Sequence, residues 1–141
     1  MADMRHVDSP RNAEVKALLR LKDRRERDRE GLFLIEGRRE VTRAVQANVR
    51  LRTLYICETM SAPAGMTQLI AELGLVGVET VRLSEAAFLR LSMRENPDGA
   101  LALAETWQLA PEEIDLPGDP LLLVIDGLEK PGNLGALLRT A

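Results

Sequence analysis

The residues best placed to do chemistry stand near the end of the 141-residue chain, in Asp126-Gly127-Leu128-Glu129-Lys130-Pro131-Gly132-Asn133-Leu134-Gly135-Ala136-Leu137-Leu138-Arg139-Thr140-Ala141. An apolar run, Leu121-Leu122-Leu123-Val124-Ile125, precedes them, so the expected order is strand, turn, helix. In open α/β sheets, ligands bind beyond the carboxyl ends of strands. Gly132 would let the backbone turn close to a ligand. Asn133 would cap the helix, whose N-terminus would offer free N–H groups and a positive dipole to an anion such as phosphate. Arg139 is a permanent cation able to fork onto a phosphate. A plain strand-loop-helix connection with an N-cap and a surface arginine explains the same residues, and both readings stand at this point. The Gly-Lys-Ser/Thr ending of a P-loop is absent.

A second group is basic. Arg20, Lys22, Arg24, Arg25, Arg27 and Arg29 cluster, and Arg38, Arg39 and Arg43 lie on the next expected helix. Residues 1–60 carry 14 Lys+Arg against 10 Asp+Glu, and residues 61–141 carry 5 against 12, within a total of -3. A basic half on an acidic chain suggests a polyanionic partner; a solvated charged face is the plainer alternative. Arg38 and Arg39 in a first helical turn oppose the helix dipole, a mild cost that an anionic partner would explain. The aromatic residues Phe33, Tyr55, Phe88 and Trp107 all fall in expected core elements. Recognition of a nucleic-acid-like polyanion would then rest on phosphates and shape, not on base stacking.

Other candidates are weaker. Glu36 could act in catalysis, but a carboxylate capping the helix that begins near Gly37 is the favoured reading. Cys57 reads as a small buried hydrophobe and Asp126 as a loop-ordering residue. One cysteine and one histidine, His6, leave no internal disulfide, thiolate metal site, His-based metal centre or triad, so no metal is expected. No apolar run is long enough to cross a membrane, and Met1 to Asp8 lacks the apolar stretch of a secretory signal. The expected location is the reducing cytoplasm, with no membrane partner.

The elements that must position these residues alternate. Asn12 opens a helix carrying Val15, Leu18, Leu19 and Lys22, and the charged segment 22–30 continues it as an exposed end that Gly31 stops. A buried strand follows over Leu32–Ile35, then a helix over Arg38–Asn48 and a strand over Leu51–Cys57. Ser61–Gly65 is a loop, Met66–Leu73 a helix ended by Gly74, and Val76–Val81 a third strand. Ser84 caps a helix reaching Leu91 or Ser92, Arg94–Gly99 is a turn, and Ala100–Trp107 is a strand inside a covered sheet. His6 falls in an N-terminal tail. The fold class expected is α/β, a compact α/β/α unit with helices on the faces of a largely parallel or mixed sheet. It covers residues 1–107. Residues 108–120, with Pro111, Pro117, Pro120 and four acidic side chains, read as a linker. Residues 121–141 read as a fully buried strand and helix that open a second, incomplete domain, because a buried parallel strand needs neighbours that so short a segment does not supply.

Asp126-Gly127, Pro131-Gly132-Asn133-Leu134-Gly135 and Leu138-Arg139-Thr140-Ala141 resemble the first motif of the SpoU (TrmH-type) RNA ribose methyltransferases of the SPOUT superfamily. Upstream, Asn12–Lys16, the arginine run, Phe33-Leu34-Ile35-Glu36-Gly37 and Asn96-Pro97-Asp98-Gly99-Ala100 are similar to the N-terminal substrate-binding domain of many members. That domain resembles a ribosomal-protein fold that grips RNA. The resemblance implies methyl transfer from S-adenosylmethionine to a ribose 2′-hydroxyl, with Arg139 and Asn133 at the matching active-site positions. Arg139 would activate the hydroxyl by positioning charge, since its high pKa makes it a poor base. The later cofactor-binding motifs of the trefoil-knot domain would lie beyond Ala141. The cofactor is therefore expected of a parent enzyme, not of this chain alone, and the parent would be a homodimer.

Three readings follow. The first is the RNA-binding part of an S-adenosylmethionine-dependent ribose 2′-O-methyltransferase, acting on RNA expected to be ribosomal, with Arg20, Lys22, Arg24, Arg25, Arg27, Arg29, Arg38 and Arg39 on the RNA. The second is a stand-alone RNA-binding module without catalysis. The third is a small-molecule phosphate binder using the Gly132–Arg139 helix.

Overall fold

Asn12 begins the first helix as its sequence suggests. Its side chain accepts the Glu14 N–H at 2.8 Å and opens α1 (Ala13–Arg20), which buries Val15 and Leu18. The charged segment does not continue this helix. Leu21 turns into the core, and the Asp23 carboxylate accepts the Arg25 N–H to start a separate α2 (Arg24–Glu30). A short acidic side chain favours a new cap over a helix interior, and that preference breaks the segment in two. α2 buries no residue and ends at Gly31, whose φ of 65° supplies a left-handed C-cap.

The computed structural model describes the chain apart from residues 1–3, 62, 108–109, 111, 113, 129–130 and 141. It divides into a unit of residues 1–107 and a unit of residues 108–141. The further elements of the first are β1 (His6–Val7), β2 (Leu32–Glu36), α3 (Arg38–Gln46), β3 (Leu51–Ile56), α4 (Pro63–Leu75), β4 (Glu79–Leu83), α5 (Glu85–Leu91) and β5 (Ala100–Glu105). The strands form one mixed sheet in the order β1-β4-β3-β5-β2. β1, β4 and β3 are parallel, and β5 runs antiparallel to both its neighbours.

Helices cover both faces. Val15, Leu18, Phe88 and Leu91 of α1 and α5 pack with Tyr55, Cys57, Val81 and Leu101. Val41, Met66, Leu69 and Leu73 of α3 and α4 pack on Leu54, Ile56, Ala100 and Ala102. Alternate residues of β3 thus serve opposite faces, as the pleat requires. This is the expected α/β/α arrangement, and Cys57 is buried in it.

Four local expectations are corrected. His6 is not in a tail: with Val7 it pairs in parallel with Arg82 and Leu83, a strand too short to show any periodicity. β2 is not buried on both sides but forms a half-buried sheet edge, paired with β5. α4 passes through Gly74 and ends at Leu75, and the turn after it places Gly77 at a φ of 78°, so β4 begins at Glu79 instead of Val76. The alternation of Val76 and Val78 imitated a strand, but Val78 N–H returns to the Leu73 carbonyl at 3.0 Å and closes the helix. Finally, the aromatic residues are not all in the core. Tyr55 and Phe88 are buried, Phe33 is half-buried, and Trp107 is 62% exposed.

The second unit also departs from expectation. Leu121–Ile125 is no buried strand: Leu121 is fully exposed and Val124 nearly so, with no ladder partner among the described residues. A strand exists by pairing, and an apolar run alone does not create one. α6 (Pro131–Thr140) starts at Pro131, a first-turn position that suits a residue lacking an N–H. Gly132 and Asn133 therefore lie inside the first turn; Asn133 is not the cap, and the left-handed glycine is Gly127 at φ 66°.

Candidate nucleic-acid interface

Two sequence-distant segments meet where β2 ends. Gly37, at φ 110°, follows Glu36, and its N–H donates to the Ala100 carbonyl at 2.9 Å. The Asp98 carboxylate accepts the Arg38 N–H at 2.9 Å and the Ala100 N–H at 3.3 Å. Asp98 therefore caps α3, a task the sequence assigned to Glu36. The Glu36 carboxylate instead turns inward, 7% exposed, and takes hydrogen bonds from the Ser92 hydroxyl and, at 2.7 Å, the Met93 N–H. It fastens the segment after α5 to the edge strand, a structural duty. Phe33–Gly37 and Asn96–Ala100, separate in sequence, thus build one junction.

Arg38 and Arg39 stand on this junction in the first turn of α3. Their dipole cost is offset locally by Asp98 and by Glu40, which pairs with Arg39 at 3.4 Å and Arg94 at 3.1 Å. Partial burial pushes the Glu40 carboxyl up, but the backbone amide of the first turn and Arg94 outweigh it and hold the group below its ordinary value. The acids at hand thus explain part of what an external anion would explain.

The remaining arginines divide by what they already hold. The Lys22 ammonium donates to the Arg90 and Ser92 carbonyls, both at 3.3 Å, at the end of α5. Arg27 donates to the Leu21 and Lys22 carbonyls at 3.0 and 2.8 Å. Both are structural, because carbonyls at helix ends need donors. Arg20 lies 3.9 Å from Glu26, Arg24 pairs with Asp28 at 3.6 Å, and Arg29 pairs with Glu26 at 2.6 Å. These exposed pairs are weak and can exchange for a phosphate. Arg25 and Arg38 are exposed with no side-chain partner among the described residues, and Arg11, Lys16, Arg43 and Arg90 share that state. Sequence reasoning singled out the first two but gave no sign that Lys22 and Arg27 were occupied, since contacts to distant carbonyls leave no local pattern.

Arg139 and Asn133 lie on α6 of the second unit, both exposed. The Arg139 guanidinium folds back over Gly135, 3.4 Å from where a Cβ would stand. The turn residues Glu129 and Lys130 lie outside the described residues. Among the described residues no cluster has the makings of a metal site, and no helix is long and apolar enough to span a membrane.

A polar network lies under α1. Arg5 holds Glu14 and, at 3.0 Å, Glu79, while the Tyr55 hydroxyl donates to Glu14 at 2.8 Å. The Arg5 hydrogen bond holds the Glu14 carboxyl below its ordinary 4.5, against partial burial and with help from Tyr55. Burial, then Glu14, pushes the Tyr55 phenol up. The folded state binds the Glu14 carboxylate better than the unfolded chain does. Its contribution is complete above pH 4.5 and is lost as pH falls through the depressed folded value. Glu14→Gln is expected to flatten the acid side of a stability-against-pH curve measured by urea unfolding; matching acid limbs in variant and parent would contradict this.

Residues 12–102 match the MRM3-like substrate binding domain, and the chain belongs to that family. The relatives it matches are named as RNA ribose 2′-O-methyltransferases, the class its motifs resembled. It is 29% identical over 138 residues to the 23S rRNA (guanosine(2553)-2′-O)-methyltransferase RlmP of Bacillus subtilis, covering 98% of this chain and 50% of that protein. A crystal structure of an RNA 2′-O ribose methyltransferase superposes with a TM-score of 0.75 at 41% identity, over 96% of this chain and 50% of that one. The SpoU methyltransferase AviRb of Streptomyces viridochromogenes, solved with AdoMet, shares the fold at a TM-score of 0.62 and 23% identity, over 78% of this chain and 39% of its own. The chain thus spans about half the length of the curated relatives it matches.

Proposed function

We propose that residues 1–107 hold the phosphate backbone of an RNA substrate for a ribose 2′-O-methyltransferase. Residues 108–120 join them to residues 121–141, which open the catalytic domain. What supports this reading most is the match of residues 12–102 to a substrate-binding family, on a unit whose exposed cations include Arg25 and Arg38, which hold no side-chain partner among the described residues. Those two make the first phosphate contacts, with Arg20, Arg24, Arg29 and Arg39 exchanging weak ion pairs for phosphates. Lys22 and Arg27 hold the fold.

In the whole protein, Arg139 and Asn133 belong to the active site, and Arg139 positions charge beside the ribose hydroxyl. S-adenosylmethionine is the methyl donor, the RNA is ribosomal, and the enzyme is a cytoplasmic homodimer. The described residues 121–140 do not fit the cofactor by themselves. A ligand of that size needs a concave, largely enclosing pocket, and here Leu121, Val124, Asn133, Leu138 and Arg139 all face outward. That exposure favours binding without catalysis as the activity of this chain alone.

The test has two arms. The 141-residue chain is expected to shift a ribosomal RNA fragment in a gel at low salt, with no methyl incorporation when S-adenosylmethionine is added. Deleting the gene is expected to remove one ribose 2′-O-methyl mark from ribosomal RNA. Failure to bind RNA at low salt would overturn the reading of residues 1–107, and an unchanged methylation map would overturn that of the parent enzyme.

A further inference from the structure

The chain's single tryptophan is 62% exposed at the end of the first unit, an expensive place for a large aromatic surface. Trp107 is held there by structure. The Thr106 N–H donates to the Gly31 carbonyl at 2.9 Å, which extends the β5 backbone alongside the turn before β2. Phe33 braces the indole edge-on, with ring centroids 6.0 Å apart and planes at 73°. The far side of the groove is pinned as well: the Glu105 N–H donates to the Arg50 carbonyl at 2.9 Å, and Asn48 takes a left-handed φ of 58°. Between them lies an open groove of about 510 Å³ that includes Asn48, Val49, Arg50, Thr106 and Trp107.

The chemistry of this groove is specific. Arg50 is 85% exposed and only 3.9 Å from Glu105, whose closer partner is Arg52 at 2.9 Å. One guanidinium is thus loosely held at the rim of the aromatic surface. The Asn48 amide, with no partner among the described residues, offers both donors and an acceptor. A planar indole, a rim cation and an amide able to read a base edge are what an unpaired nucleotide meets in single-stranded recognition.

We propose that Trp107 is a stacking platform for one unpaired RNA base, with Arg50 on its phosphate and Asn48 at the base edge. This rests on the RNA-binding reading of residues 1–107 and deepens it, adding base contact to a surface otherwise described by charge. It also favours single-stranded or looped RNA over a regular duplex, whose bases are not free to stack on protein.

Tryptophan fluorescence of the 141-residue chain tests this directly, because Trp107 is the sole reporter. The probes are a single-stranded RNA dodecamer of mixed sequence and a duplex of the same sequence. The single strand is expected to quench the emission and the duplex to leave it nearly unchanged. Trp107→Ala is expected to weaken single-strand binding about tenfold without changing its salt dependence, whereas Trp107→Phe keeps most of the affinity. Arg50→Ala, which leaves the aromatic packing intact, is expected to cost a few-fold and to reduce the salt slope by about one. RNA binding without quenching, and with equal affinity in Trp107→Ala, would overturn the stacking site while leaving the backbone reading in place. A concentration-dependent dimer that Trp107→Ala abolishes would assign the groove to a second copy of the chain and overturn it equally. No RNA binding by the parent chain would remove both.

Discussion

Gly99→Ala is expected to unfold residues 1–107 more readily than any conservative change on the exposed surface. Gly99 takes a φ of 77°, and an added Cβ would stand 2.5 Å from the Cys57 carbonyl oxygen and 3.2 Å from the Ser61 nitrogen. Neither atom can step aside cheaply. The Cys57 carbonyl accepts the Met60 N–H at 3.2 Å, and the Cys57 N–H is itself bonded to the Gly99 carbonyl at 2.9 Å. The left-handed backbone costs alanine about 1 kcal/mol or more, and parting two tied backbones adds to it, for a loss of about 3 kcal/mol. For a unit of this size that lowers the melting temperature by roughly 15 °C. Gly74→Ala is the control: it lies within α4 with nothing inside 4 Å, so it is expected to be neutral or to stabilise by about 0.5 kcal/mol. Equal melting of Gly99→Ala and the parent would show that the junction of the two segments is not built as described. Because Asp98 beside it caps α3 under Arg38, the variant is also expected to loosen the proposed RNA surface.

The second large effect concerns binding. The double variant Arg25→Glu, Arg38→Glu is expected to lower RNA affinity by roughly two orders of magnitude, since two phosphate contacts are lost and two repulsions gained. Its stability is expected to stay within about 0.5 kcal/mol of the parent, because neither side chain holds an ion pair among the described residues. Lys22→Glu should behave in the opposite sense. It removes the donor from the Arg90 and Ser92 carbonyls, so its main effect is on unfolding. Comparing urea midpoints and RNA affinities of the two variants separates cations that face outward from those that hold the fold. Wild-type affinity in the double variant would remove these arginines from the interface.

Much of the fold was legible because its elements carry strong local signals. Asn12, Asp98–Gly99 and Ser84 mark boundaries by side-chain and turn chemistry, and Val41 with Ala44 marks the buried stripe of α3. What was not legible depends on distant partners. Nothing within His6–Val7 announces a strand; β4 makes it one. Nothing in Leu121–Ile125 says that no strand will pair with it, so an apolar run read as a buried strand lies exposed. The same holds for the charges: eight cations looked alike in sequence, and only the fold separates Lys22 and Arg27 from Arg25 and Arg38. Trp107 was misread because an aromatic residue ending a core strand is usually buried, and only the geometry beyond Glu105 turns it outward.

The central claim, that an arginine-bearing α/β/α unit grips the phosphate chain of RNA, is tested most directly by the affinity of the 141-residue chain for a ribosomal RNA fragment across a series of salt concentrations. Displaced counterions make log affinity fall linearly with log salt, and six phosphate contacts, from Arg20, Arg24, Arg25, Arg29, Arg38 and Arg39, predict a slope of about -4 on single-stranded RNA. A flat line, or no binding at the lowest salt, would contradict it.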